Sequence, residues 1–99
     1  MVRLDEALLV LKGWEDRRLW IRFEGTGVVN RLEAKCELFA VFAAGASFCL
    51  SEDFAVAFDL RSCGIEYGEP PKEAGGSEVE SVLVFAEAGF TLALMLLKD

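Results

Sequence analysis

Residues 79–97 form an apolar stretch that any fold of this chain must bury. It contains two apolar runs, residues 82–86 and 90–97, separated by a short segment that ends at Gly89. An apolar run before a glycine, followed by a run rich in Phe, Thr and Leu, is typical of two strands joined by a tight turn. Because both sides of each run are apolar, the pattern predicts a C-terminal β-hairpin at the centre of a sheet.

Two alternatives remain for this stretch. A transmembrane segment is disfavoured because Glu80 and Glu87 lie inside it, and a carboxylate at mid-bilayer costs about 3 kcal/mol. A buried amphipathic helix over part of the stretch stays open, although Gly89 and Thr91 weaken it. We therefore expect no membrane association.

The first residues follow a helical period instead. Apolar residues here have the i, i+3, i+4, i+7 spacing of an amphipathic helix. They are Leu4, Ala7, Leu8 and Leu11. Acidic residues in the first turn and Lys12 in the last both suit the helix dipole. The pattern predicts a short helix over residues 3–12 that covers one face or opening of a sheet.

From residue 17 the apolar period becomes two, which indicates half-buried strands. Leu19, Ile21 and Phe23 alternate with residues that point the other way. After a glycine-rich turn, a second alternating run extends for about fifteen residues, so a bend or β-bulge is expected in it. Shorter strands follow, up to residue 67.

Residues 68–78 break the strand pattern with two prolines and a pair of glycines, and they are acidic. The chain is long enough for one domain only. Its expected parts are a helix over 3–12, antiparallel strands over 17–67, an exposed acidic loop over 68–78 and a hairpin over 79–97, together a single domain of residues 1–99.

The fold class predicted is mainly β (α+β). A short N-terminal helix precedes about six or seven strands, and the short connections make the strands antiparallel. We expect a strongly curved sheet or a small barrel, with the helix packed against it.

Composition adds an expectation about partners. Hydrophobic residues make up 54% of the chain, which favours self-association through apolar surface left over from the core. The net charge is −7, and residues 50–99 hold ten acidic but only three basic residues. Since that half would repel phosphate backbones, a nucleic-acid polymer is not an expected partner.

The residue inventory also excludes several kinds of chemistry. The chain has no histidine, so Ser–His and Cys–His nucleophiles and an HExxH metal site are absent. Its cysteines, Cys36, Cys49 and Cys63, form no CxxC pair and are expected to be buried thiols in a reducing compartment, although one reactive thiol stays open. We expect a cytoplasmic protein that is not an enzyme and holds neither metal nor cofactor.

One strand combines arginine with tryptophan. Arg18, Trp20 and Arg22 share one side of it, where they could stack on an anionic planar ligand. The alternative is an ordinary surface whose arginines pair across strands with acidic residues. The candidate pairing partners are Glu33, Glu37 and Asp59.

A second motif begins at Asp59 and ends at Gly64. With Arg18 and Arg22 it resembles the PilZ family, whose cyclic di-GMP receptors carry RxxxR before a barrel and a later [DN]xSxxG. Arg18 and Arg22 match the first pattern, and Asp59 and Gly64 the second, with Arg61 in place of the serine. The resemblance implies a small barrel that binds an anionic nucleotide through these residues.

The main functional prediction is a small non-enzymatic protein-interaction domain that self-associates through apolar strand faces. Large aromatic side chains dominate many interfaces, so Trp14, Trp20 and Phe39 are the candidate anchors. The alternative is a PilZ-like or other small-barrel binder of an anionic nucleotide through Arg18 and Arg22.

Overall fold

A computed structural model describes residues 1–26, 31–42, 45–51 and 54–98, without the side chains of residues 37–40, 42, 46–51 and 54–56. The elements in chain order are α1 (Leu4–Lys12), β1 (Arg18–Gly25), β2 (Arg31–Phe42), β3 (Gly45–Ser51), β4 (Phe54–Asp59), β5 (Gly64–Tyr67), a 3-10 turn (Gly76–Glu78), β6 (Val79–Glu87) and β7 (Phe90–Leu97).

The strands form one antiparallel sheet in the order β4-β3-β2-β1-β7-β6-β5. A mainly antiparallel β architecture with a short N-terminal helix is thus confirmed. The hairpin of β6 and β7 lies between β1 and β5, so both of its strands have neighbours on two sides. The pairings of the described strands do not close into a barrel, and β4 and β5 are the two ends of this sheet.

One face of the sheet, the helix face, packs against α1. Leu19 and Ile21 of β1 are buried there together with Ala7 and Leu11 of the helix. The alternation predicted for β1 is therefore the alternation observed. Each large apolar side chain buried in this way contributes about 1.5–3 kcal/mol.

Helix α1 ends at Lys12, a few residues before β1 begins. The Gly13 N–H donates to the Val10 carbonyl oxygen, and Asp16 takes a positive φ of 66° just before β1 begins. No helix in the described part of the chain is long and apolar enough to cross a membrane.

The long second strand is irregular, as its length predicted. The pairing of β2 with β3 shifts register between Leu38 and Ala40. Extra residues in one strand of an antiparallel pair bend that strand and increase its twist. We therefore expect β2 to bend at this register shift, between its pairing with β1 and its pairing with β3.

The opposite side of the sheet, the second face, is crossed by residues 68–78. Gly75 lies over the Trp20 ring and has a φ of 93°, which suits glycine. Gly76 is buried so close to Pro71 that an added Cβ would lie 1.7 Å from the Pro71 carbonyl oxygen. Most side chains of this segment are exposed, but its backbone is packed onto the sheet.

Candidate functional site

An apolar group, here named the tryptophan cluster, occupies the second face beneath residues 68–78. Trp20 is its centre and is only 5% exposed. The other buried members are Val79, Val82, Met95 and Leu97. Register places Trp20 beside Met95, and Met95 beside Val82, so three neighbouring strands supply the cluster. The sheet therefore has a smaller second core opposite the helix face.

Polar groups surround the indole of Trp20. Its Nε1–H donates to Oε1 of Glu33 over 3.0 Å. The guanidinium carbon of Arg22 lies 4.9 Å from the ring centroid, and Nζ of Lys35 lies 5.5 Å from it. Cations at these distances are attracted by the negative face of the ring, so the indole is held by both packing and charge.

Arg22 connects this cluster to the segment that covers it. Its Nη2 lies 2.6 Å from Oε1 of Glu73 and 3.5 Å from Oε1 of Glu33. The hydrogen bond to Glu73 raises the pKa of Arg22 above its ordinary value, although burial opposes this. The pairing with Glu33 was among those anticipated from the sequence. Glu73 was not, because nothing local to residues 68–78 shows which strand they cross.

The two motifs that resemble those of the PilZ family do not contact each other among the described residues. Arg18 is exposed on β1, a central strand, whereas Asp59 ends β4 and Gly64 begins β5, and residues 60–63 connect these two strands. Asp59 pairs with Arg61, 2.6 Å away, and this hydrogen bond lowers the pKa of Asp59. Among the described contacts, none joins Asp59 or Gly64 to Arg18 or Arg22.

The candidate interface anchors are already used within the chain. Trp14 is 6% exposed and belongs to the core of the helix face, and Trp20 is buried in the tryptophan cluster. The side chain of Phe39 lies outside the described residues. Neither tryptophan offers a partner appreciable area in this conformation, and a role for them as interface anchors stays a prediction from the sequence.

The two ends of the sheet differ in charge. Residues 54–58 of the β4 edge carry no charge and no proline, and Ala57 is exposed there. The β5 edge carries the exposed Glu66 and Tyr67, and Glu69 follows it. A depression of about 150 Å³ lies beside β5 and is lined by Gly64, Ile65, Glu66, Val84 and Ala86.

The described thiols are poorly suited to chemistry. Cys36 is buried and Cys63 is partly buried, while the side chain of Cys49 lies outside the described residues. Burial raises the pKa of the Cys63 thiol, and the charges of Glu87 and Asp59 raise it further. Among the described residues, no group of three or more His, Cys, Asp or Glu side chains is placed to hold a metal ion.

Alkylation of Cys63 by iodoacetamide at pH 8 is expected to be slower than alkylation of the same residue in the urea-unfolded chain. A raised pKa leaves a smaller fraction of the reactive thiolate at that pH. Peptide mass spectrometry after timed quenching would follow Cys63 separately from the other two thiols. Equal rates in the folded and unfolded chain would contradict the raised pKa.

Comparison with known proteins gives no family for this chain. No protein-family model matches it, and neither the comparison with curated proteins nor that with solved structures found a match. The geometry of the chain itself is therefore the basis for assigning a function.

Proposed function

We propose that this chain is a small, non-enzymatic protein-interaction domain that associates with a second copy of itself through the β4 edge. The observation that carries the proposal is the position of β4 at one end of the described sheet, with five consecutive uncharged residues, 54–58. An edge strand of this composition is a template for pairing with another chain. An antiparallel pair of β4 strands would be related by a twofold axis, the commonest symmetry of homodimers.

Charge supports the choice of this edge. Each copy carries a net charge of −7, so two copies repel each other over most of their surfaces. At the β5 edge, antiparallel self-pairing would bring Glu66 of one copy near Glu66 of the other, and like charges opposite each other are destabilising. Residues 54–58 add no such repulsion, and the carboxylate of Asp59, which ends β4, is paired with Arg61.

Both faces of the sheet are covered around its central strands, which also favours a contact through an edge. The helix and residues 68–78 already bury the two faces of the sheet around β1, β6 and β7. Much of the 54% apolar content of the chain is therefore already buried around these strands. We therefore propose a contact at the end of the sheet, whereas the sequence predicted one through the strand faces.

A strongly curved sheet is part of the proposal. The ring centroids of Phe23 on β1 and Phe58 on β4 lie 5.6 Å apart, although the strands are three positions apart in the sheet. In a flat sheet their separation would be about 14 Å. Curvature of this kind turns the Phe58 side chain towards the core. The part of β4 that remains accessible to a partner is therefore its edge and not its inner face.

The nucleotide-binding alternative has less support. An anionic ligand would have to displace two carboxylates, Glu33 and Glu73, from Arg22. Replacement of both Arg18 and Arg22 by alanine would abolish nucleotide binding under the alternative. It would leave self-association nearly intact under our proposal. A cytoplasmic location and independence of cofactors and metals remain predictions from the sequence.

Light scattering on a size-exclusion column is expected to show a dimer that persists at high salt. Apolar strand pairing is insensitive to screening, and salt reduces the residual repulsion between two acidic copies. Ala57→Lys places a charge on each copy at the centre of the paired strands, so this variant should be a monomer. Ala57 is exposed, so the substitution should leave the single chain folded.

Thr91→Lys is the matched control. It changes the net charge by the same amount at an exposed position on β7, a strand inside the sheet, and it should remain dimeric. A monomer at every concentration of the parent chain would refute self-association. A parent dimer that Ala57→Lys leaves unchanged would show that the copies meet elsewhere.

A further inference from the structure

We infer that the β5 edge is a second docking surface, which takes an extended, basic polypeptide segment by strand addition. This surface and its partner are separate from the proposed β4 contact. The inference therefore does not depend on self-association.

The backbone of β5 presents alternate residues outwards. The Gly68 N–H donates to the Val82 carbonyl oxygen over 3.0 Å, and Glu66 lies opposite Val84 in register. Because hydrogen-bonded positions alternate in an antiparallel pair, the N–H and C=O groups of Ile65 and Tyr67 point away from β6. These groups form the ladder that an added strand would use.

The chain itself already makes one bond to this ladder. The Val2 N–H donates to the Ile65 carbonyl oxygen over 2.8 Å. Residue 2 thus meets the edge in the way an added strand would. Among the hydrogen bonds of the described residues, none occupies the Tyr67 N–H or C=O, so the last residue of β5 is open to an added strand.

Side chains around the open positions specify a basic partner. Glu66 lies on the edge and Glu69 just beyond it, and both are exposed. Tyr67 is 58% exposed and gives an added strand an aromatic surface to pack on. Glu66 and Tyr67 are successive residues of β5, so their side chains lie on opposite faces of the sheet. Lysine or arginine alternating with small apolar residues would therefore place its basic side chains beside Glu66 and its apolar side chains beside Tyr67.

The same charges argue against a second copy of this chain at β5. An approaching copy would bring its own Glu66 and Glu69 to the edge, whereas a basic segment would neutralise them. The β5 edge is therefore better suited to a basic segment than to a second copy of this chain.

Fluorescence polarisation with a labelled six-residue peptide of alternating lysine and valine tests the inference. We expect saturable binding that weakens several-fold when the ionic strength is raised from about 0.05 M to about 0.5 M. A peptide of alternating glutamate and valine should not bind. Glu66→Lys should weaken binding of the basic peptide at least tenfold. Glu24→Lys, the same change at an exposed position on β1, should not.

A second pair of variants tests the backbone. Tyr67→Pro removes the outward N–H without removing a hydrogen bond to β6, and it should abolish binding. Tyr67→Ala keeps that N–H and should retain part of the affinity. Thermal melts establish which variants fold, and if Tyr67→Pro does not, the comparison of Glu66→Lys with Glu24→Lys decides.

Three results would overturn the inference. They are no saturation of the basic peptide up to about 1 mM, equal binding of the acidic peptide, and parental affinity in Glu66→Lys or in folded Tyr67→Pro.

Discussion

Replacement of Phe85 by alanine is expected to lower the free energy of unfolding by about 3–5 kcal/mol. Phe85 is fully buried on β6, and its neighbours across the sheet are Leu92 of β7 and Ile65 of β5. The variant loses the transfer free energy of the ring and leaves a cavity that the surrounding strands fill only partly. A domain of this size has about 5–15 kcal/mol of stability in total, so the loss would be a large part of it.

Urea titration followed by circular dichroism would measure this effect. Leu9→Ala is the control, because Leu9 lies on α1 with its side chain 73% exposed and should change stability by about 0.5 kcal/mol or less. If the two variants were equally stable, the C-terminal hairpin would not be the centre of the core.

The local parts of this fold were readable from the sequence because their signals lie in neighbouring residues. Alternation of apolar residues set the inward side of β1, and Gly89 marked the turn between β6 and β7. The length of the second alternating run indicated the irregularity now seen between Leu38 and Ala40. Each of these features depends on a few residues that are close in sequence.

The order of the strands was not readable in the same way. The neighbour of β1 on one side is β7, which comes last in the chain. Nothing in the periodicity of either strand records that pairing, since alternation tells which way side chains point and not which strand lies alongside. For the same reason, the sequence did not show which strands form the edges of the sheet. Both proposed contacts lie at those edges.

The tryptophan cluster shows the limit most directly. The period of two placed Trp20 on the side opposite Leu19 and Ile21, and the structure has it there. That side was expected to meet solvent or a ligand, but residues 68–78 cover it. A segment of glycine and proline has no periodicity, so its contact with a distant strand had no signal in the sequence.

The two edges of the sheet differ in where their charges lie, and this affects which partners each edge would bind. The acidic excess of residues 50–99 was visible at once, but its effect depends on where the strands lie. One edge is uncharged over residues 54–58, and the other carries Glu66. Two surfaces that offer similar backbone groups should therefore select partners of different charge.

Trp20→Ala is expected to lower the free energy of unfolding by about 3–5 kcal/mol, as for a buried ring in a principal core. The variant loses the packing of the indole against Met95 and Val82 and removes the donor that Glu33 accepts from. Trp20→Phe keeps most of the apolar ring but not the N–H, so its cost should be smaller, about 1–2 kcal/mol.

The difference between these variants separates packing from hydrogen bonding on the second face. Urea titrations of both would be compared with Thr91→Ala, an exposed position on the same face of the sheet that should change little. If Trp20→Ala cost no more than Thr91→Ala, residues 68–78 would not form a stable cover, and Trp20 would return as an anchor for a partner. A large loss for Trp20→Ala would instead indicate that the chain itself closes this face, which agrees with our proposal that contacts with other chains lie at the edges of the sheet.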